Sequence, residues 1–349
     1  MMMMRYGQDV YCNIDFLDEV IKKRKEEPYK TIYQILFRLS NIFLDIELSA
    51  LKVKIVENPI YQNLNNRDNK GLHSKLAWNS RINLEKVSDE VFLITPGYIE
   101  DYEQKRIDNG ALILSNSQKD FDYLNRLCRL KVFTLIPKSE RTGFEPETPE
   151  SWKDVFEKQK MSPLNSLIIT DNFIFNSDFE DRKEYSLFNL LKTLIPRKLD
   201  IDFHLTIFFY NSDGLFNQEK AKELINEIKG LHLMEDENKF KISIVSHTKK
   251  SITHDRHILS NYFFTYSGVG FSVIDKNGIQ QVAKGDSKCV FHSISDLAGN
   301  TSVKHEYNIT REWLKKIYER KEGAGATAYI VGDQFTNRLL DDTCSVLIV

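Results

Sequence analysis

The chain has 349 residues and a mass of 40.8 kDa, room for about two domains at roughly 150 residues each. Its 48 Lys+Arg nearly balance 50 Asp+Glu, giving a formal charge of -2, which excludes a generally basic chain that coats nucleic acid by bulk charge. Hydrophobic residues make up 41% and aromatics 11%, which excludes disorder and leaves ample material for a large core.

From the N-terminus, Met1 to Gln8 carries one Arg and no apolar run beyond four Met, so no secretory signal is expected there. Apolar residues at helical spacing predict helices over Phe16 to Arg24 and over Thr31 to Phe43, the second through Ile32, Ile35, Leu36, Leu39 and Phe43. Short apolar runs at Leu51 to Val56, Val91 to Ile94, Ala111 to Leu114 and Val132 to Leu135 read as buried strands, with helices at Tyr98 to Ile107 and Phe121 to Leu127. Strands alternating with helices imply an α/β layer with mainly parallel strands. The stretch from Pro137 to Pro163 holds four prolines and many charges, so it reads as a linker. Inside it, Thr148-Pro149-Glu150 looks like a helix start, followed by a short helix over Ser151 to Lys160.

After the linker the alternation is clearer. Strands are expected at Ser166 to Thr170, Phe203 to Tyr210 and Phe240 to Val245, separated by helices at Tyr185 to Leu194 and Gln218 to Lys229. Consecutive strands follow at His257 to Asn261, Tyr262 to Tyr266, Phe271 to Ile274 and Val290 to Ile294. A helix over Thr310 to Lys321, with Thr310 as its cap, precedes a last pair of strands at Tyr329 to Val331 and around Cys344. The expected fold is therefore α/β in two domains: residues 1–137, a Pro-rich linker at 138–163, and residues 164–349.

The four cysteines, Cys12, Cys128, Cys289 and Cys344, form no CxxC pair, so a thiolate zinc site is not expected and a reducing, cytoplasmic setting fits. Cys344 is not placed for prenylation, and no stretch approaches the ~20 apolar residues of a membrane span. The Gly323-Ala324-Gly325-Ala326 run lacks a Lys and has the wrong spacing for a phosphate cradle, so it reads as a turn and no cofactor is expected.

The segment that carries chemistry runs from Lys239 to His257. It holds five cations (Lys239, Lys241, Lys249, Lys250, Arg256) and one acid (Asp255), a local charge of +4 in a nearly neutral chain, together with His247, His254 and His257. On a strand His254 and Arg256 project together, whereas His257 faces the other way. A histidine beside a guanidinium suits a phosphodiester: the imidazole attacks or moves a proton, and the cation stabilises developing charge. Ser267-Gly268-Val269-Gly270 adds a hydroxyl and a flexible turn whose amides can approach an anion. Lys249 and Lys250 read either as solvated loop residues or as phosphate contacts. Asp171 sits where α/β sheets bind ligands, or else caps the next turn.

His254-x-Arg256-x4-Asn261 followed by Ser267-Gly268 resembles the phospholipase D-like superfamily of phosphodiesterases and nucleases, whose motif is His-x-Lys-x4-Asp with a Gly-Ser turn after it. The His-Asp-Arg form is similar to the domain at the C-terminus of MIT-domain proteins, a branch with altered catalytic residues. The resemblance covers roughly Ser166 to Lys321. It implies metal-independent chemistry through a phosphohistidine at His254, with Arg256 gripping phosphate and Asn261 and Ser267 in support; Lys249, Lys250 and Gly268 would contact phosphate. Arg in place of Lys changes geometry, and Asn in place of Asp removes an anionic partner. The superfamily pairs two histidines. His73-Ser74-Lys75 looks like a loop and is no convincing second copy, so activity would need a homodimer. The implied function is a nuclease or phosphodiesterase-type module acting on nucleic acid, in a bacterial accessory or defence role. The alternative is an inactive binding or assembly module for nucleic acid, anionic lipid or a protein partner.

The N-terminal half is α/β of Rossmann or PIN-like type. Gly110 to Phe121 looks a little like the late strand and turn of PIN-type nucleases, where acids hold divalent metal. Asp9, Asp15, Asp18 and Glu19 are acids near its start. They read more simply as helix-terminal and solvated charges, and no second acid is evident at the Ser115 turn.

Overall fold

The protein is described from a computed structural model, which covers residues 8–67, 71–75, 91–95, 102–115, 117–127, 131–144, 148–157, 164–172, 183–210, 218–247, 256–261, 263–268, 270–271, 273–279, 288–293, 296, 301–319, 328–333 and 335–340. It is α/β, with helices and both parallel and mixed sheets. It divides into two compact units, one of residues 1–129, 293–308 and 342–349, the other of residues 130–292 and 309–341.

The first unit is built on a five-stranded, wholly parallel sheet. Its strands are β1 (Gln8–Cys12), β2 (Ser40–Leu44), β3 (Leu72–Ser74), β4 (Val91–Thr95) and β5 (Leu112–Ser115), in the order β3-β2-β1-β4-β5. The order reverses between β1 and β4. Asn13 ends β1 and caps the Ile14–Lys22 helix, its side chain accepting from the Asp15 amide at 2.7 Å. That helix buries Phe16, Leu17, Val20 and Ile21.

Two elements differ from their sequence patterns. The expected Thr31 to Phe43 helix ends at Leu39, and Ser40–Leu44 becomes β2. Ile42 and Leu44 are buried on one side of β2 while Phe43 lies on the other, stacked between Tyr11 and His73. Leu51 to Val56, expected as a strand, lies within a Leu48–Glu57 helix. Leu51 is its buried residue, and Val53 and Val56 are exposed, so the β-branched run was not a core signal. His73 is on β3, not in a loop.

The second unit carries an eight-stranded mixed sheet, order β15-β9-β8-β7-β10-β11-β14-β6. The central strands β7 (Ser166–Thr170), β8 (Phe203–Tyr210) and β9 (Phe240–His247) run parallel, linked through the Asn189–Leu194 and Gln218–Lys229 helices. β10 (Arg256–Ser260) pairs antiparallel with β7, and β11 (Phe263–Ser267) antiparallel with β10. β14 (Lys288–Ser293) pairs antiparallel with β6 (Lys131–Thr134), and β15 (Ala328–Gly332) with β9. A separate hairpin joins β12 (Ile274–Asp275) to β13 (Gly278–Ile279).

The Pro-rich stretch is not a linker. Val132 to Leu135 and the Pro-rich stretch after it both fall within residues 130–292 of the second unit. The Trp152–Glu157 helix places Trp152, Val155 and Phe156 in the hydrophobic core, and Trp152 Nε1 donates to the Phe271 carbonyl at 2.8 Å. Prolines restrict the backbone without preventing burial of the apolar residues between them. Thr310 is not a helix cap: the helix starts at Thr301, and Thr310 is buried inside it. The expected strand around Cys344 and the Gly323 to Ala326 turn lie outside the described residues. Among the described residues no helix is long and apolar enough to cross a membrane.

Candidate functional site

Because β7, β8 and β9 are parallel, their C-terminal ends share one edge of the sheet, the edge at which α/β sheets place ligands. Asp171 and Asn172 follow β7, Tyr210 ends β8, and His247 ends β9. β10 runs the other way, so its first residue, Arg256, arrives at the same edge; β11 turns back, so its last residue, Ser267, pairs with Arg256.

Asp171 is the centre of this edge. It is 1% exposed, its amide donates to the Phe208 carbonyl at 3.2 Å, and its Oδ2 accepts from the Phe271 amide at 2.8 Å. Gly270 has φ +82°, a conformation that side chains rarely adopt. A Cβ placed there would lie 3.2 Å from Asp171 Oδ2 and 3.4 Å from Arg256 Nε, so the glycine lets the turn close over both charges. Arg256 Nη1 donates to the Gly268 carbonyl. Ser267 Oγ donates to the Gly270 carbonyl at 3.1 Å.

These bonds decide what the turn can do. The Ser267 proton is committed to a carbonyl, so the hydroxyl is a clasp and not an activated nucleophile. The Phe271 amide, which an anion would seek, already binds the Asp171 carboxylate. A second anion beside this carboxylate would be repelled.

The predicted site residues do not all converge. Arg256, Ser267 and Gly268 are brought together. Asn261 is not among them: it follows the far end of β10, roughly 16 Å along the strand from Arg256, and its Oδ1 accepts from the Asn165 amide at 3.4 Å. The five-residue length of β10, unreadable from the motif alone, puts the two residues at opposite edges. His254, Lys249 and Lys250 lie outside the described residues, as does Asp255. His257 is buried and stacks on Phe264 at 5.3 Å with the rings 9° apart, as a structural residue would.

The +4 segment is likewise divided. Lys239 donates to the Leu199 and Asp200 carbonyls and Lys241 to the Asn238 carbonyl, all at the N-terminal end of β9. Lys241 is roughly 20 Å along β9 from His247, the strand's last residue, and Lys249 and Lys250 lie outside the described residues.

Sequence patterns gave no hint of the aromatic surroundings of His247. Its ring lies 5.7 Å from that of Tyr210 and meets Trp313 edge-on at 5.1 Å. Burial lowers its pKa to about 4, so at neutral pH it is an uncharged ring and not a phosphate-binding cation.

Two of the acids near the start of the first unit are occupied. Asp18 accepts from Tyr61 Oη and Lys54 Nζ, both at 2.7 Å, and Glu19 from Lys23 and Tyr29, both at 2.8 Å. An acid does stand at the Ser115 turn: Asp120 accepts from the Ser115 amide at 2.7 Å, from Ser115 Oγ at 2.6 Å and from Arg106 at 3.0 Å. Burial pushes its carboxyl up, but Ser115 and Arg106 together hold it below its ordinary range. Among the described residues no group of three or more His, Cys, Asp or Glu is placed to hold a metal ion. Cys12 and Cys289 are buried, which pushes both thiols up and leaves them unreactive.

No protein-family model matches the chain, and no curated protein matches it.

Proposed function

We propose that the second unit is a nucleic-acid-binding module of the phospholipase D-like kind whose hydrolytic set is dismantled. The observation that carries this reading is the closed turn itself, where the buried Asp171 carboxylate already accepts from the Phe271 amide. The antiparallel entry of β10 beside three parallel strands supports the superfamily resemblance. The commitment of Ser267 and of the Phe271 amide supports binding without turnover. Phosphate contact then falls to Lys249 and Lys250, which follow β9 in sequence, while Arg256 holds the Gly268 turn. The strand order of the first unit supports its Rossmann or PIN-like reading, with the metal acids replaced by internal ion pairs. Cytoplasmic action in a bacterial accessory or defence system belongs to the same proposal.

The test is incubation of the full chain with a labelled single-stranded oligonucleotide, with and without EDTA. The expected result is a retarded, intact strand in both conditions. Cleavage abolished by His254→Ala would overturn the reading in favour of a live phosphohistidine site in a homodimer. Cleavage abolished by EDTA would move the chemistry to a metal site.

A further inference from the structure

A cleft of about 440 Å³ opens in the second unit and shares no residue with the β7–β10 edge. One wall is a five-residue π-helix, Glu184–Phe188, a rare element that concentrates at functional sites. It buries Ser186, Leu187 and Phe188 and leaves Tyr185 42% exposed at the cleft. The facing wall is the β12–β13 hairpin. Its turn is fixed by Gly278 at φ +90° and by the Asn277 amide donating to Asp275 Oδ1 at 2.7 Å. Ile274 also borders the cleft but is 1% exposed, so it backs the hairpin and offers a ligand almost no surface.

The charges of the cleft are unevenly satisfied. Glu150 is paired with Arg141 at 3.2 Å, and Asp275 spends an oxygen on the hairpin turn. Lys138 and Lys276 line the same cleft, are exposed, and make no ion pair with any described residue. The volume lies in the range of small-molecule pockets. The cleft therefore presents an aromatic ring and two ammonium groups that make no ion pair with a described residue.

We propose that this cleft binds a nucleoside monophosphate, with the base against Tyr185 and the phosphate held by Lys138 and Lys276. Ammonium groups act as point-charge phosphate ligands, and a phenol ring stacks on any base. An isolated phosphate would use only the lysines, and a nucleoside only the ring, so each half binds more weakly than the whole.

Titration calorimetry of the full chain tests this, with AMP, GMP, CMP and UMP, and with adenosine and inorganic phosphate as half-ligands. At least one monophosphate is expected to saturate at one site, at least ten-fold tighter than either half-ligand. Lys138→Gln with Lys276→Gln is expected to weaken it ten-fold or more, and Tyr185→Leu to weaken monophosphate and nucleoside alike. All three side chains are solvent-exposed, so these variants fold; an unchanged melting temperature verifies it. Binding of none of the four monophosphates, or binding unaffected by either variant, overturns the proposal. Oligonucleotide retention by the same variants is expected to be unchanged, which separates failure of this site from failure of the sheet edge.

Discussion

The carboxylate of Asp171 and the backbone amide of Phe271 are joined by a buried hydrogen bond of 2.8 Å between residues a hundred positions apart. This bond pins the Ser267 to Phe271 turn to the end of β7. It also brings a fixed negative charge beside Arg256, as the shared proximity to Gly270 shows.

Asp171→Ala strands a buried amide donor and deprives Arg256 of a neighbouring charge. Loss of a buried partner costs about 1–3 kcal/mol, and more where charge is involved. The expected fall in unfolding free energy is about 3 kcal/mol, and a smaller one for Asp171→Asn, whose carbonyl oxygen can still accept. Urea unfolding midpoints measure both; equal losses would show that charge, and not the bond, is what matters.

Gly270→Ala and Gly143→Ala separate conformation from contact. Both glycines have positive φ, +82° and +87°, but a Cβ at Gly143 meets nothing within 4 Å, whereas at Gly270 it presses on the Asp171 carboxylate. Gly143→Ala is expected to cost about 1 kcal/mol and Gly270→Ala about 2–3 kcal/mol. The same unfolding measurement decides it, and equal costs would mean that the turn relaxes away from Asp171.

Trp152→Ala tests whether the Pro-rich stretch is core. Removing a buried indole costs about 3–5 kcal/mol. Phe144→Ala, at a residue 91% exposed, is expected to be neutral within about 0.5 kcal/mol. A linker would tolerate both.

Acid is expected to destabilise the fold through His247, which is buried, and His204, which is partly so. Burial lowers the pKa of His247 to about 4 and of His204 to about 3, while both titrate near 6.5 when unfolded. Between these values the unfolded chain takes up a proton that the folded chain refuses, so stability falls as pH drops from about 6.5 towards 4, and further to 3 for His204. Above about pH 7 neither contributes any slope. His247→Gln is expected to reduce the loss between pH 7 and pH 4 by about 2–3 kcal/mol, followed by unfolding midpoints at several pH values.

Much of the α/β character was legible because β7, β8 and β9 are apolar runs bounded by polar loops, and the Gln218–Lys229 helix between β8 and β9 keeps a 3.6-residue period. Where one apolar run served two elements the pattern failed. Leu36, Leu39 and Phe43 keep the helical spacing past the helix end, and the parallel pairing with β1 makes Ser40 the start of the strand. The location of Val132 to Leu135 was unreadable for another reason: its partner, β14, lies more than 150 residues later, and no local signal encodes that pairing. The candidate site failed in the same way. His-x-Arg-x4-Asn is contiguous in sequence, but a strand spaces it out, and the residue that fills the site, Asp171, comes from a different strand.

The claim that the C-terminal edge of β7–β9 meets nucleic acid is tested most directly by salt dependence. Single-strand affinity is measured from 50 to 200 mM salt for the natural chain, for Lys249→Gln with Lys250→Gln, and for Lys239→Gln with Lys241→Gln. Each phosphate contact contributes about 0.7 to the slope of log affinity against log salt. Loss of Lys249 and Lys250 is expected to flatten the slope by about 1.4, while loss of the opposite-edge pair leaves it unchanged. Equal flattening by both pairs, or by Lys239 and Lys241 alone, would contradict the account.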